Sequence, residues 1–481
     1  MTDNLPIPNS SNQSVSGLKS ECLSFPEIIA QSVANVAPTA TPAINIALVF
    51  ASAGNSTWLG FIIASIGTVF IGLCINQFAS RSASPGSLYS YVAMGLGSTL
   101  GVLSGWSLLL AYLFTGMVVQ TAFSNFTNVV LSNIGIEFSP LFLFAICAGT
   151  GWYFAYKNIE LSTKLMLILE VISLGLIFLV FAIFFLKNGF TIDMEQLTLK
   201  DTKPNMMIVG LVLAFFSYVG FESATSLGEE AKKPLKNIPY AVFLTPIICG
   251  FLFVSASYIE VLAFRNSSTP LEQSHAPLND IATMSGVGFL GMIITLAILV
   301  NVFSCIIASI NAGGRILFTM ARHGIFHDAI GQAHSNNKTP HVAITMLSIF
   351  MFIVPASMSL FGLKILDIMT YMATMATYGF LLTYVLVAVA APVYLYKQGN
   401  LKIFDILVGV FAVSFMLIPI VGSLYPVPPY PFNVFPYLFL MYLLVGVAWF
   451  VILRLTSPEI IDNMEDELEK IHLKFSELKK I

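Results

Sequence analysis

The sequence predicts an all-α integral membrane protein with twelve transmembrane helices. Of its 481 residues, 57% are hydrophobic and only 10% are charged, against about 25% charged in soluble globular proteins. Apolar runs of about 20 residues, the length that a spanning helix needs, recur along the whole chain between short polar segments. The runs are continuously apolar instead of alternating, which excludes an outer-membrane β-barrel.

Glycine, proline and charged residues mark the ends of the apolar runs. They place the spans near residues 27–50, 58–80, 98–130, 139–156, 161–186, 205–228, 239–263, 286–318, 342–360, 366–395, 402–424 and 433–454. Basic residues in short loops concentrate on the cytoplasmic side of a membrane protein. The loops on the side of the amino terminus hold more of them, namely Arg81, Lys157, Lys164, Lys232, Lys233, Lys236, Arg315, Arg322, Lys338, Lys397 and Lys402, against Lys187, Lys200, Lys203, Arg265 and Lys364. Both termini are therefore expected in the cytoplasm.

The two ends of the chain differ from the apolar domain at residues 25–455. Residues 1–24 are rich in Ser and Asn and are predicted to form a disordered cytoplasmic tail. Residues 456–481 place Ile460, Met464, Leu468, Ile471 and Phe475 at spacings of three and four, which predicts an amphipathic cytoplasmic helix. That helix is either a surface helix or a partner site.

Several classes of function are excluded by what the sequence lacks. The five cysteines show no paired spacing, so neither a disulfide framework nor a metal site is expected. The net charge of −3 argues against a nucleic-acid partner. The sequence contains no phosphate-binding loop and no HExxH pattern, so we expect no cofactor, no enzyme and no ATP-driven transport.

Two predicted spans are interrupted near their middle. Pro38 and Pro42 lie inside the first span, and each removes an amide donor. Ser217, Gly220 and Glu222 interrupt the sixth. Counting spans one to five and six to ten as two sets, both breaks fall in the first member, which indicates an inverted-repeat transporter with a site at the bilayer midplane. The alternative is a pair of kinked packing helices.

Three stretches resemble the amino acid-polyamine-organocation permeases. They are SRSASPGSLYSYV at residues 80–92, GFESATSLGEEAKKPLKNIPYAV at residues 220–242, and NAGGRILFTMARHGIF at residues 311–326. The resemblance implies a LeuT-like, five-plus-five inverted repeat with broken helices one and six, in which repeat one covers residues 25–186 and repeat two covers 205–395. Two extra helices would follow at residues 402–455, and transport would proceed by alternating access.

The resemblance also implies the substrate contacts. They would be Val36, Ala37, Thr39, Ala40, Phe216, Ser217 and Val219. A break exposes amides at one half-helix and carbonyls at the other, which suits the two charges of an amino acid. The Thr39 hydroxyl and the amides of Thr39 and Ala40 would hold the carboxylate, and the carbonyl of Val36 the ammonium, as would those of Phe216 and Val219. Relatives commonly carry glycines at this break, whereas Pro38 supplies no amide.

Phe216 matches an aromatic residue that closes over the substrate in relatives, although simple packing is the alternative. Glu222 must avoid lipid; it either faces the cavity as a proton-sensing or positioning group, or accepts backbone bonds in a structural role. Glu170 lies where several proton-coupled relatives carry a lysine, and we expect it to take part in cation or proton coupling or in helix packing. Arg315 and Arg322 are interpreted as surface anchors at the end of the eighth span.

Together these features predict a multi-pass transporter of the plasma or inner membrane. Its substrate would be an amino acid, carried in exchange or with an ion gradient. One alternative is a polyamine or organic-cation carrier, suggested by the acids Glu170, Glu222 and Glu260. The other is a nutrient sensor that binds without transport.

Overall fold

A computed structural model describes residues 16–132, 135–189, 191–265, 267–274, 276–425 and 427–461, together with 464 and 466. Within them the chain is helical apart from turns and one isolated parallel bridge between Leu23 and Ala231. The α-helices are α1 (Phe25–Val36), α2 (Ile46–Ala53), α3 (Thr57–Ala79), α4 (Leu88–Leu96), α5 (Ser98–Ser132), α6 (Pro140–Lys157), α7 (Ile159–Asn188), α8 (Met194–Leu197), α9 (Pro204–Phe216), α10 (Pro234–Phe264), α11 (Pro277–Met284), α12 (Leu290–Arg322), α13 (His341–Leu360), α14 (Ile365–Lys397), α15 (Ile403–Leu424) and α16 (Phe435–Thr456).

The long helices are apolar enough to cross a membrane. In the part of the chain that is described, nine helical segments meet the length and hydropathy that a span requires, and the first of them, Phe25–Ala79, contains α1 to α3. Helices lie within each predicted span, although the α-helix in the predicted span 205–228 ends at Phe216 and the helix in the span 27–50 is interrupted after Val36. The prediction of an all-helical, multi-pass membrane protein is confirmed.

The outer surface of the helices is apolar, as a bilayer requires. Val171 on α7, Phe251 on α10, Val410 on α15 and Leu444 on α16 are all more than half exposed. Large exposed apolar surfaces are rare on soluble proteins, and in water such a surface would cause aggregation. The polar side chains are instead turned into the bundle, where the candidate site lies.

Local chemistry fixes where helices begin. Ser24 and Glu27 form a capping box at the start of α1, in which the backbone N–H and the hydroxyl of Ser24 donate to Glu27 Oε2 at 2.7 and 2.8 Å. Asn158 caps α7 by accepting a hydrogen bond from the Glu160 N–H at 2.9 Å. These caps satisfy amides that the first helical turn leaves without partners.

Residues 16–24 pack against one end of the bundle, which we name the amino-terminal face. Leu18 is buried among Leu317, Phe318 and Ile330. The backbone amides of Cys22 and Leu23 donate to the Glu230 carbonyl at 2.8 and 2.9 Å, and the Lys232 amide donates to the Leu23 carbonyl at 2.8 Å. Residues 16–24 therefore differ from the predicted disordered tail. Two buried leucines, Leu18 and Leu23, and the backbone hydrogen bonds to Glu230 and Lys232 hold them against the bundle.

The predicted ends of the chain lie partly outside the described residues. Residues 1–15 of the tail are outside them, as is most of the predicted amphipathic helix beyond Ile461. Of its apolar positions, Ile460 is 8% and Met464 1% exposed. Met464 lies against Tyr89, whose hydroxyl is 3.6 Å from its sulfur, and Ile460 lies against Gly324. The start of the carboxy-terminal segment therefore also packs on the amino-terminal face.

Candidate substrate site and its closures

The first interruption separates α1 from α2. The helix α1 ends at Val36, and Ala37 adopts the left-handed conformation with φ 50° and ψ 62°. The chain resumes as a single π-helical turn, Thr41–Asn45, before α2 begins. Pro38 and Pro42 explain this geometry, because neither can donate to a preceding carbonyl and the wider π-turn accommodates the lost bonds.

The second interruption follows α9. That helix ends at Phe216, the chain passes through Gly220 at φ +85°, and a 3₁₀ helix runs over Ser223–Leu227. A Cβ atom at Gly220 would lie 1.9 Å from Asn35 Nδ2, so a side chain would collide with Asn35. Glycine is required here by its positive φ and by the close approach of the first interruption.

Thr39 is a buried polar residue at the first interruption. Its side chain is fully buried, and its hydroxyl has no hydrogen-bond partner among the described residues. The backbone N–H of Ala40, by contrast, already donates to the Ala37 carbonyl at 3.0 Å. Buried polar groups are almost always hydrogen-bonded, so the Thr39 hydroxyl marks a place where a polar ligand would be stabilised.

The other predicted contact residues differ in how deeply they are buried. Val36 is buried, whereas Ala37, Ala40, Phe216 and Val219 are half-buried. Ser217 is not free, because its hydroxyl accepts a hydrogen bond of 2.5 Å from Asn45 Nδ2 of the π-turn. Ser217 thus joins the two interruptions to each other.

The space beside the second interruption is small. A cavity bordered by Val219, Tyr218, Tyr384 and Thr68 has a volume of about 10 Å³. A cavity of that volume holds about one water molecule. The second interruption therefore packs closely against α3 and α14 in this conformation.

Glu222 lies just beyond the second interruption and is fully buried. The Tyr112 hydroxyl of α5 donates to its Oε1 at 2.6 Å, and the Tyr384 hydroxyl of α14 donates to its Oε2 at 2.5 Å. Tyr384 also accepts the Gly220 N–H at 3.0 Å. The carboxylate thus faces protein, and it links the interrupted segment to two long helices. No spacing in the sequence points to these tyrosines; only the rule that buried hydroxyls need partners could have suggested them.

Glu170 belongs to a different cluster. It is 3% exposed on α7, and its Oε2 accepts a hydrogen bond of 2.6 Å from Asn301 Nδ2 on α12. No contact joins it directly to Thr39 or Glu222 among the described hydrogen bonds. The predicted coupling residues therefore occupy two separate places in the bundle.

An ion pair buried beneath residues 16–24 closes the amino-terminal face. Arg315 and Glu230 are both 0% exposed. Arg315 Nε donates to the two Glu230 oxygens at 3.1 and 3.0 Å, its Nη2 also contacts Oε1, and its Nη1 donates to the Asn311 carbonyl at 2.9 Å. The interpretation of Arg315 as a surface anchor is wrong, because the amino-terminal segment and the loop after residue 227 cover the end of α12.

The opposite face is closed by a more open cluster. Arg265 donates to Asp193 Oδ2 through Nε at 3.2 Å and Nη2 at 2.5 Å, to Glu195 at 2.7 Å and to Asn55 at 2.9 Å. Partial burial raises the pKa of Asp193, but hydrogen bonds from Arg265 and Gln196 outweigh that effect and hold the pKa below its ordinary value of 3.8.

Comparison with known proteins identifies the family. A family model described as amino acid permease matches residues 27–470. The chain belongs to the amino acid permease family. The permease is 24% identical over 371 residues to the branched-chain amino acid permease BcaP of Bacillus subtilis (strain 168), covering 73% of this chain and 76% of that protein. Its relatives are transporters and not enzymes, and the chain is a membrane transporter.

Other relatives differ in what their names say they carry. The methylthioribose transporter of Bacillus subtilis (strain 168) is 23% identical over 356 residues, which is 70% of this chain and 74% of that protein. The low-affinity putrescine importer PlaP of Escherichia coli (strain K12) is 27% identical over 297 residues, which is 59% of this chain and 63% of that protein. A solved Na⁺-coupled sialic acid symporter, in a substrate-bound outward-open state, aligns with 82% of this chain and 90% of its own at 16% identity and a TM-score of 0.47.

Proposed function

We propose that this permease is a secondary active transporter of an amino acid, driven by an ion gradient or by exchange. The observation that carries the proposal is the buried Thr39 hydroxyl at the first interruption, which lacks a partner among the described residues, while Asn35 of the same helix lies against Gly220 of the second interruption. A polar ligand at this point would supply the missing hydrogen bond.

The proposed architecture has twelve membrane crossings. Repeat one covers residues 25–186, repeat two covers 205–395, and α15 and α16 follow as extra helices. The interruption after Val36 lies in the first crossing and the interruption after Phe216 in the sixth. Corresponding breaks in two repeats are typical of transporters whose site lies at the bilayer midplane. The amino-terminal face would be cytoplasmic, since the basic loops lie on its side.

The charges of an amino acid match the ends of the interrupted helices. Helix α1 ends at Val36 and α9 at Phe216, and the last carbonyls of a helix carry partial negative charge that attracts an ammonium group. The substrate carboxylate would bind the hydroxyl and backbone N–H of Thr39, where the chain resumes toward α2. Because the Ala40 N–H is occupied by Ala37, Thr39 would carry most of this recognition.

Transport requires that the closures open in turn. In this conformation the cavity at Val219 has room for about one water molecule, and ion pairs lie at both faces. The half-buried Phe216 lies at the end of α9, where a small rotation would cover or uncover the site. We infer that the two hydrogen bonds on Glu222 hold the inner half of the pathway shut, and that Glu222 and Glu170 respond to protons or cations during the cycle.

A polyamine carrier is the second candidate, because a putrescine importer is among the relatives. Putrescine carries two ammonium groups and no carboxylate, so it has no group that would bind to a carboxylate site at Thr39. A thermal-shift screen of the purified protein distinguishes the two, since a ligand that binds only the folded state raises its apparent stability. We expect one or more of the standard amino acids to raise the melting temperature and putrescine to have no effect.

The variant Thr39→Val tests the site itself. It removes one hydroxyl at similar size, and loss of a hydrogen bond to a charged group weakens binding by about 1.5 to 3 kcal/mol. The matched control is Thr245→Val, because Thr245 is also fully buried but donates within its own helix to the Ala241 carbonyl at 2.8 Å. Uptake into proteoliposomes gives the affinity. Equal affinity in Thr39→Val and the parent would remove Thr39 from the site.

A further inference from the structure

Glu260 is a buried acid near the end of α10 that the proposed transport cycle does not use. Its side chain is 0% exposed, and neither of its carboxyl oxygens has a hydrogen-bond partner among the described residues. None of the ion pairs formed in the described part of the chain includes it. Glutamate is almost never fully buried unless it is paired, so Glu260 requires an explanation.

The face of α10 that carries Glu260 is apolar and tightly packed. Phe253 lies two turns earlier on the same face, is 0% exposed, and has its ring centroid 5.8 Å from that of Phe61 on α3. Ser257, one turn before Glu260, is also 0% exposed, but its hydroxyl donates to the Val254 carbonyl at 3.0 Å. These neighbours give the carboxyl group no polar contact.

No basic group in the described part of the chain pairs with Glu260. The elements that pack against α10 are mainly α1, α2, α3, α11, the π-turn and the 3₁₀ turns 223–227 and 271–273. Their titratable side chains, together with those of α10 and of the residue that follows it, are Glu27, Cys74, Glu272, Asp280, Lys236, Tyr240, Cys249, Tyr258 and Arg265. Arg265, the cation nearest along the chain, is held instead by Asp193 and Glu195.

The neutral acid is therefore the form of Glu260 that this site accommodates. An ionised carboxylate without water, counter-charge or hydrogen-bond donors is far less favourable than a neutral carboxyl group in the same surroundings. A metal ion would need several more oxygen ligands, which the apolar face of α10 does not supply. A proton needs only the carboxyl group itself.

The cover over Glu260 belongs to the closure of the opposite face. Arg265, which binds Asp193 and Glu195 in that closure, follows Glu260 by five residues. The chain then turns back, so that the 3₁₀ turn 271–273 and α11 pack against α10. Leu271 and Ile281 of this returning segment are buried in the same apolar core as Ile259, the residue before Glu260. If this closure opens, water reaches the end of α10.

We propose that Glu260 is a proton-binding site that links one proton to the closure of the opposite face. In the closed conformation Glu260 holds the proton as a neutral acid. When the closure opens, the carboxyl group ionises in water and its proton passes to the solvent on that side; closing takes one proton back from the same side. Acid on that side therefore favours the closed form. The opening step rests on the proposed function, whereas the proton on Glu260 in the closed form does not.

Infrared spectroscopy of the purified protein at pH 7, without any amino acid, tests the proton directly. The C=O stretch of a neutral carboxylic acid is separate from the bands of an ionised carboxylate. We expect Glu260→Gln to lose acid-band intensity equal to one carboxyl group. The matched control is Glu272→Gln, since Glu272 is an exposed acid in the same returning segment, and we expect it to keep the parent's acid band. An equal acid band in the parent and in Glu260→Gln would overturn the proposal.

Thiol labelling in proteoliposomes tests the link to the closure. Ala282 on α11 is 0% exposed, so Ala282→Cys reacts with a membrane-impermeant maleimide only when the cover opens. The exposed Ser268→Cys, labelled at each pH, corrects for the reactivity of the thiol itself, and the parent gives the background of the native cysteines. Between pH 6 and pH 8 we expect the corrected rate to rise by up to about tenfold for each pH unit, because each opening releases one proton.

The same labelling with Glu260→Gln added should be slow at every pH, because the amide stays neutral. The acids of the Arg265 cluster do not produce the rise, since hydrogen bonds and ion pairs hold the pKa of Asp193 below 3.8 and that of Glu195 below 4.5. A corrected rate that does not change with pH, or one that rises equally with Glu260→Gln, would overturn the link. If Glu260→Gln does not fold, the pH profile of Ala282→Cys alone decides. The proposed function fails separately, if no amino acid binds or is taken up while the acid band and the pH profile are as expected.

Discussion

The two faces of the bundle are closed by ion pairs in very different surroundings. At the amino-terminal face Arg315 and Glu230 are both 0% exposed, whereas at the opposite face Arg265 is 29% and Asp193 5% exposed, with Glu195 42% exposed. Water and salt reach the second cluster but not the first. Screening weakens exposed pairs, while a buried pair is very sensitive to loss of one partner.

Because of this difference, the amino-terminal closure and the opposite closure should respond to different conditions. The amino-terminal closure is also covered by residues 16–24, whose backbone pairs with that of residues 229–232. At the opposite closure, Arg265 binds Asp193, which caps the short helix α8. We therefore expect the opposite face to open at lower free energy, and the amino-terminal face to control the stability of the fold.

The largest effect is expected for Glu230→Ala. It leaves the Arg315 guanidinium buried without a counter-charge, and breaking a buried pair in this way costs about 3 to 5 kcal/mol. Thermal unfolding of the purified variant measures the loss. The double variant Arg315→Met with Glu230→Leu removes both charges and should recover most of the stability. If the single variant is as stable as the parent, the pair does not hold this face closed.

Acidification should weaken the amino-terminal face first. The Tyr89 hydroxyl lies 2.6 Å from His323 Nδ1 at this face, and burial lowers the pKa of His323 to about 3. Because the unfolded chain has the ordinary histidine pKa near 6.5, it binds more protons than the folded chain between about pH 6.5 and pH 3, so stability falls as the pH falls through that range. Over this range the free energy of unfolding falls by up to about 1.4 kcal/mol for each pH unit.

Melting temperatures at pH 7.5 and pH 5.5 test this expectation. The parent should lose about 1.4 kcal/mol between them, and His323→Asn should lose the slope that comes from this residue. His327→Asn is the control, since His327 is exposed in a nearby loop. An equal slope in parent and His323→Asn would contradict the prediction.

At the opposite face, acid acts only at a lower pH. Because the pKa of Asp193 in the folded state is lowered, the ionised Asp193 contributes its full stabilisation above about pH 3.8. That stabilisation is lost only as the pH falls through the still lower pKa of the folded state.

Local features of the sequence predicted the helices well. Apolar runs predicted membrane-spanning helices, and Pro38, Pro42 and Gly220 lie in the segments that follow α1 and α9, because hydropathy and backbone restriction act within a few residues. The requirement that Glu222 avoid lipid followed from its charge alone. These inferences need no knowledge of which helices touch.

The partners of the buried groups could not be predicted in the same way. Tyr112 and Tyr384 are 110 and 162 residues from Glu222, and Glu230 is 85 residues from Arg315. A single sequence contains no signal for such pairs. The amino-terminal segment was misjudged for a different reason, since its average composition is polar while Leu18 and Leu23 alone anchor it.

Replacing Arg265 sharpens the comparison at the opposite face. Arg265→Gln removes the charge from a partly exposed cluster, and exposed pairs contribute about 1 kcal/mol or less. We expect a small loss of stability that shrinks as choline chloride is added, because salt screens the parent's ion pairs. The same titration should leave the penalty in Glu230→Ala unchanged. If the loss of stability in Arg265→Gln is as large as that in Glu230→Ala and equally insensitive to salt, the two closures are equivalent.

The smallest effect is expected at the edge of the amino-terminal face, for Lys19→Gln. Lys19 pairs with Glu160 at 2.5 Å, but the two side chains are 39% and 28% exposed, so solvent screens the pair and its loss should change stability by about 0.5 kcal/mol or less. Leu18, the neighbouring residue, is 2% exposed, and Leu18→Ala removes its packing against α12. Limited proteolysis of the two variants separates charge from burial as the anchor of residues 16–24. We expect the segment to be cut at the parent's rate in Lys19→Gln and faster in Leu18→Ala. Faster cutting in Lys19→Gln alone would mean that the segment is held by its exposed charge, and that the amino-terminal closure is as open to salt as the opposite one.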